Sequence, residues 1–214
     1  MKLERDDALK TRLIQALTEK YSGSREEIHV SDLVYCLREA YFRKTEPKPP
    51  SEMELMFYVD GARRHHVIEV LSGQESEVEI VWEGVKGTVD MLEHAPVEIK
   101  TTRANKSLPL HYFRQLGYYC AMLNTSTGYL LIQRLNNREN PWECWKVTFS
   151  HDDLEQFKNE IIEKRDLLKK ALEGNPEILP KTDLTNENGQ PWKCRHCKYK
   201  ESCAQLDEQE AGQA

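Results

Sequence analysis

Two short segments constrain this chain more than any other: Gly87-Thr88-Val89-Asp90, and after them Val97-Glu98-Ile99-Lys100. Both read as apolar strands, joined by a turn at Glu93-His94-Ala95-Pro96. In the second strand Glu98 and Lys100 lie two residues apart and share a face, while Ile99 turns to the other. A carboxylate and an ammonium on one face, with a second carboxylate on the preceding strand, suit metal-dependent hydrolysis of a phosphodiester. Asp90 and Glu98 supply hard oxygen ligands for Mg²⁺ or Mn²⁺. Lys100 steadies a metal-activated water or the developing charge. Alone, a Glu-x-Lys pair also describes a solvated strand face. The neighbouring motifs turn the reading.

The 214 residues fit one domain, or one domain with an appendage, and 39% apolar against 31% charged residues describe a polar globular chain. We divide it into N-terminal helices (1–50), a core (51–174), a cysteine-bearing segment (175–204) and a tail (205–214). No run of 18 apolar residues exists, which excludes a membrane-spanning helix. The charged N-terminus shows no signal peptide. Six cysteines without one point to a reducing, cytoplasmic setting, where clustered thiols more often hold metal than form disulfides. The net charge of −6 argues against a protein coated by nucleic acid, but not against local binding. The basic clusters are Arg63-Arg64, Lys100-Arg103-Lys106, Arg114 and Lys193-Arg195-Lys198-Lys200.

Apolar spacing predicts a helix over 3–21 through Leu9, Leu13, Ile14 and Leu17. Ser31-Asp32 caps a second helix carrying Leu33, Val34, Cys36, Leu37 and Ala40, which the prolines at 47, 49 and 50 end. Ser51 and Glu54 form a capping box for a long helix to about Leu71. Strands follow near 76–83, 85–92 and 96–101, then a helix from Pro109 and strands at 127–135 and 143–149. Ser150 and Asp153 cap a last helix with Leu154, Phe157, Ile161, Leu168 and Leu172 inward. Residues 175–192 read as loop, and the tail from Leu206 as frayed. The order predicts a mixed α/β sheet covered by helices.

The long helix carries Gly61-x-x-x-His65, with His66 beside it. Adjacent helical residues point about 100° apart, so only one imidazole can face a given site. The spacing favours His65 as a metal ligand and Gly61 as a point of close approach to the sheet. Gln115 and Tyr119 share a helix face and suit contacts to phosphate or base. Cys194, Cys197 and Cys203 place three thiols in ten residues. A fourth ligand comes from Cys36, Cys120, Cys144 or His196, of which Cys120 and Cys144 read as packing residues. Four thiolates suit an iron–sulfur cluster or a structural Zn²⁺.

Taken in order, Cys36, Gly61-x-x-x-His65, Gly87-x-Val89-Asp90, Glu98-Ile99-Lys100, Gln115-x-x-x-Tyr119 and the C-terminal cysteines resemble the CRISPR-associated Cas-four exonucleases. These are a branch of the RecB-like PD-(D/E)XK nucleases, and the resemblance spans residues 28–204. It implies a restriction-endonuclease-like core. It also implies an iron–sulfur cluster, 4Fe-4S before 2Fe-2S, held by Cys36, Cys194, Cys197 and Cys203. His65, Asp90, Glu98 and the Ile99 carbonyl would bind Mn²⁺ or Mg²⁺, Lys100 would be catalytic, and Gln115 and Tyr119 would position DNA. Such proteins act on DNA ends, chiefly single-stranded, and trim spacer precursors beside the CRISPR integrase complex. Val89 stands where the motif's proline would. A repair or phage nuclease outside CRISPR, and a DNA-end or partner-binding module with a dormant site, are the alternatives.

Overall fold

The computed structural model describes residues 7–23, 25–73, 75–103, 108–184 and 192–213. Its elements run α1 (Asp7–Tyr21), β1 (Ile28–His29), α2 (Val30–Val34), α3 (Leu37–Thr45), α4 (Glu52–Ser72), β2 (Glu75–Trp82), β3 (Val85–Leu92) and β4 (Pro96–Thr102). Then come α5 (Leu110–Met122), β5 (Thr127–Arg134), β6 (Trp142–Thr148), α6 (His151–Leu172) and α7 (Lys200–Gln213). Short 3-10 turns lie at Pro176–Ile178 and Trp192–His196.

The sheet pivots on β3. Along one edge it pairs antiparallel with β2, from Glu75↔Leu92 to Trp82↔Val85. The two-residue loop between them puts Glu83 (φ 50°) and Gly84 (φ 74°) in the left-handed region that tight hairpins need. Two strands share the opposite edge. β1 runs parallel to it at Val85 and Lys86, and β4 runs antiparallel at Met91 and Leu92. Residues 87–90 of that edge face no ladder among the described residues. β4 then leaves β3 and pairs parallel with β5 from Val97↔Tyr129 to Thr102↔Arg134, and β6 closes the edge antiparallel. The sheet therefore forks between β3 and β4, where Asp90 and Glu98 lie.

A parallel β4–β5 pair requires a crossover, and α5 supplies it. Its buried side packs Leu116, Cys120 and Ala121 on Leu130, Ile132 and Leu154. A Cβ on Gly117 would strike the Phe157 ring, which is flanked by Tyr118 and Phe149 at centroid distances of 5.9 and 5.5 Å. Glycine lets α5 and α6 approach here. The second core joins α2, α3, α5 and α6 to β3 through Leu33, Leu37, Ala40, Val89, Tyr118 and Ile161. Both expected capping boxes form: Ser51 Oγ accepts from Glu54 N–H at 3.2 Å, and Ser150 Oγ from Asp153 N–H at 3.1 Å.

Several expectations need correction. The second helix is two helices, broken at Tyr35 and Cys36, with Cys36 as the cap of α3. Its start is capped from His29, whose N–H donates to Asp32 Oδ2 at 3.0 Å, and Ser31 is not the cap. The two-residue β1 was too short to carry a periodic signal. α1 buries none of its residues, and Leu9 and Leu13 are exposed, so its apolar spacing marks a stripe laid loosely on α4. Leu172 and Cys144 are also exposed, Cys144 because β6 is an edge strand. The tail from Leu206 is helical and docked. Leu206 packs with Tyr199 and Phe42, and Asp207 Oδ1 lies 2.5 Å from Arg38 Nη1. The loop over 175–192 holds 3-10 turns at its two ends, and 185–191 lie outside the described residues.

Candidate active site

Each element at the fork delivers one polar group to the same place. Asp90 Oδ2 accepts from the Ile99 N–H at 2.6 Å and bridges the splayed strands where the ladder has stopped. His65 reaches over from α4, with Nδ1 3.5 Å from Asp90 Oδ1. Asp90 holds the imidazole above its ordinary pKa, against the effect of burial. His66 is exposed and turned away. Ile99 is buried with its side chain on the opposite face, as alternation requires.

Glu98 is 2% exposed, a degree of burial that carboxylates rarely show. Burial, chiefly, pushes its pKa up, the adjoining Lys100 pulls it down and Asp90 pushes it up, leaving it at about 7. Lys100 Nζ lies 2.5 Å from Glu98 Oε1. Burial disfavours that ammonium, yet Glu98, Tyr35 and Asp90 together hold its proton more tightly than usual. The other Glu98 oxygen, Oε2, is buried with no hydrogen-bond partner among the described residues. A buried carboxylate oxygen without a donor is costly. A cation at the fork would satisfy it.

From Lys100 a chain of hydrogen bonds runs into α5. Lys100 Nζ donates to Gln115 Oε1 at 2.9 Å, and Gln115 Nε2 donates to Tyr119 Oη at 3.1 Å. Tyr119 Oη donates to the Thr88 carbonyl at 2.8 Å, in the stretch of β3 that has no ladder partner on its β4 side among the described residues. Gly87 makes room for this contact, because a Cβ there would lie 2.9 Å from the Tyr119 ring. Gln115 and Tyr119 are thus both buried and both tied to the fork.

Three aromatic groups at the fork escaped the motif reading. The Tyr112 ring lies 5.5 Å from Lys100 Nζ, His111 lies between Tyr112, which it meets edge-on, and Tyr35, to which it is tilted, and Lys193 lies over Tyr35 at 4.7 Å. Their only signal in the chain was the position of His111 and Tyr112 one turn before Gln115. Burial, with the positive field of Lys100, Lys193 and Arg114, lowers the His111 pKa to about 4. His111 is therefore neutral when folded and titrates near 6.5 when unfolded. Its contribution to stability is complete above pH 6.5 and is lost as pH falls through 4. We expect up to about 3 kcal/mol of acid destabilisation from this residue. Urea unfolding of wild type and His111→Phe between pH 7 and pH 4 measures it, with a shallower loss in the variant.

Not every candidate converges as expected. A Cβ on Gly61 meets nothing within 4 Å, so this glycine leaves open space and does not admit a close helix–sheet contact. His65, Asp90 and Glu98 are engaged by neighbours, and no three His, Cys, Asp or Glu side chains among the described residues converge on a point that could hold an ion. Most of the basic clusters are paired: Arg114 with Asp183 and Glu160, Lys193 with Glu39, Arg64 with Asp60. Lys106 lies outside the described residues.

The other candidate constellation lies at the joint of α3 and α7. Cys36, Cys194, Cys197 and Cys203 line one cavity of about 280 Å³, with Phe42 and Tyr199 among its walls. Burial raises the Cys36 and Cys197 thiols above their ordinary pKa. The cavity is also held by contacts that need no metal: Arg38 Nε donates to the Leu179 carbonyl at 2.8 Å, and Phe42 stacks on Tyr199 at 5.9 Å. Cys120 sits apart in the core, its thiol raised to about 12 by burial. The His196 side chain lies outside the description.

A forked mixed sheet with an acid on each arm and a lysine two residues past the second acid defines a class. The chain matches the PD-(D/E)XK nuclease superfamily over residues 2–204 and belongs to it; it is a nuclease. It is 23% identical over 186 residues to the CRISPR-associated exonuclease Cas4 of Thermoproteus tenax, across 83% of this chain and 92% of that protein. The crystal structure of SSO0001 shares the fold, with a TM-score of 0.59 and 21% identity over 90% of this chain and 93% of that one. Among the described residues no helix is long and apolar enough to cross a membrane.

Proposed function

We propose that this nuclease is a metal-dependent deoxyribonuclease that trims DNA ends, chiefly single-stranded, as a single unit spanning residues 1–214. The observation that carries the reading is the buried Glu98–Lys100 pair beside Asp90, with one carboxylate oxygen unsatisfied. His65, Asp90, Glu98 and the Ile99 carbonyl would hold Mn²⁺ or Mg²⁺, which polarises the scissile phosphate and acidifies a water. Lys100 keeps its proton and faces the charge that develops on phosphate. Gln115 orients that ammonium, and Tyr119 fixes Gln115 against the β3 backbone. Both also offer contacts to the substrate strand.

We read the four cysteines of the α3–α7 cavity as ligands of an iron–sulfur cluster, 4Fe-4S before 2Fe-2S. Iron–sulfur clusters are held by four cysteine thiolates, and four cysteines line this one cavity. The Thermoproteus relative is named a CRISPR-associated exonuclease, which supports an exonuclease role tied to CRISPR; work on spacer precursors beside the integrase complex, in the cytoplasm, is the finer reading that the motif resemblance implies. The test is incubation of end-labelled single-stranded DNA with the protein and Mn²⁺, Mg²⁺ or EDTA. Cleavage with either metal and none with EDTA is expected, and the fate of the label gives the polarity. A folded protein that binds the strand and never cuts it is instead a binding module.

A further inference from the structure

The stripe of α4 that carries His65 continues away from the fork. Phe57, Gly61 and His65 are spaced by four and share one helix face, about 12 Å from end to end. β4 runs on from Lys100 beneath the same stripe. Phe57, Gly61, Thr101, Thr102, Arg103 and Leu135 line an open groove of about 300 Å³ there, with Asp60 at its rim. Thr102 shares the face of Glu98 and Lys100, one pleat repeat of about 7 Å further along. The groove is thus an extension of the fork.

Three features describe its occupant. The Phe57 ring is 51% exposed, and no other ring is stacked on it among the described residues. Gly61, one turn on, leaves the floor bare beside that ring. The rim is cationic in a chain of net charge −6: Arg64 lies 3.1 Å from Asp60, and Arg103 lines the groove and adds to the positive field on the same carboxylate. Two guanidinium groups against one carboxylate leave an excess of positive charge. A flat apolar ring, a bare floor and a cationic rim beside a phosphodiester site suit an unpaired nucleotide, its base on the ring and its phosphate on the arginines.

We infer that the Phe57–Gly61 groove is a stacking subsite for the unpaired base next to the scissile phosphate. This inference deepens the nuclease reading and rests on it. It gives that site a means of preferring single strands, because a paired base cannot leave its stack to reach the ring without cost.

The test uses the full-length protein with Ca²⁺ in place of the catalytic metal and short single strands carrying 2-aminopurine at successive positions. Wild type should quench the probe at one position. Phe57→Ala should lose that quenching and bind about 10-fold more weakly. Phe57→Trp should restore both. Gly61→Leu should block binding while keeping or raising the melting temperature, since leucine favours a helix more than glycine does. Wild-type quenching and affinity in Phe57→Ala and Gly61→Leu, with cleavage intact, would overturn the subsite and leave the nuclease reading standing. A wild type that neither binds nor cuts single strands would overturn both.

Discussion

Glu98→Gln is expected to fold, to bind single-stranded DNA, and to cleave it at least about 10³-fold more slowly than wild type. The substitution keeps the volume of a side chain that is 2% exposed, so packing is conserved. Lys100 retains the Gln115 oxygen at 2.9 Å and the Tyr112 ring at 5.5 Å. What disappears is a negative charge that the protein keeps buried at a cost, since its pKa is raised, chiefly by burial, to about 7. A loss of 10³-fold corresponds to about 4 kcal/mol of transition-state stabilisation. Single-turnover cleavage, with circular dichroism as a check on folding, measures it. Cleavage within a few-fold of wild type would remove Glu98 from the site.

The second large effect concerns the α3–α7 cavity. Cys36→Ala and Cys197→Ala are expected to lose the visible absorption of an iron–sulfur protein and to melt at a lower temperature. A ligand set absent from the unfolded chain couples its binding to folding. Both variants should nevertheless remain folded, because Arg38–Asp207 and Phe42–Tyr199 tie α7 to α3 without metal. Cys120→Ala should keep its colour and lose only about 1 kcal/mol of packing. Absorbance and iron content read the first effect, thermal melting the second. A colourless wild type that carries zinc would replace the cluster with a structural ion. Retained colour in Cys36→Ala would place the fourth ligand elsewhere.

Local rules made the frame legible. Strand alternation placed Glu98 and Lys100 on one face, and the Ser51–Glu54 and Ser150–Asp153 boxes marked two helix starts where they occur. These signals live within a few residues. What failed depends on contacts distant in sequence. Cys36 looked like a mid-helix residue because nothing local reveals that α2 and α3 part at Tyr35. The tail reads as frayed because α7 docks through one buried apolar residue, Leu206, beside Tyr199 just before the helix, and through Asp207 reaching Arg38 across 169 positions. Gly61 reads as a contact in the sequence, since composition cannot tell a glycine that admits a neighbour from one that leaves a gap. The fork itself was hidden. It depends on β1 and β4 dividing one edge of β3, and β1 is two residues long. Tyr35, His111 and Tyr112 meet Lys100 only because α2, α5 and β4 converge.

The central claim is that Asp90, Glu98 and Lys100 form a metal-dependent cleavage site. Its most direct test is wild type beside Lys100→Ala on end-labelled single-stranded DNA with Mn²⁺. The account predicts cleavage by wild type that EDTA abolishes, and none by a variant that still folds. Equal cleavage by the two proteins, or cleavage that persists in EDTA, would contradict it.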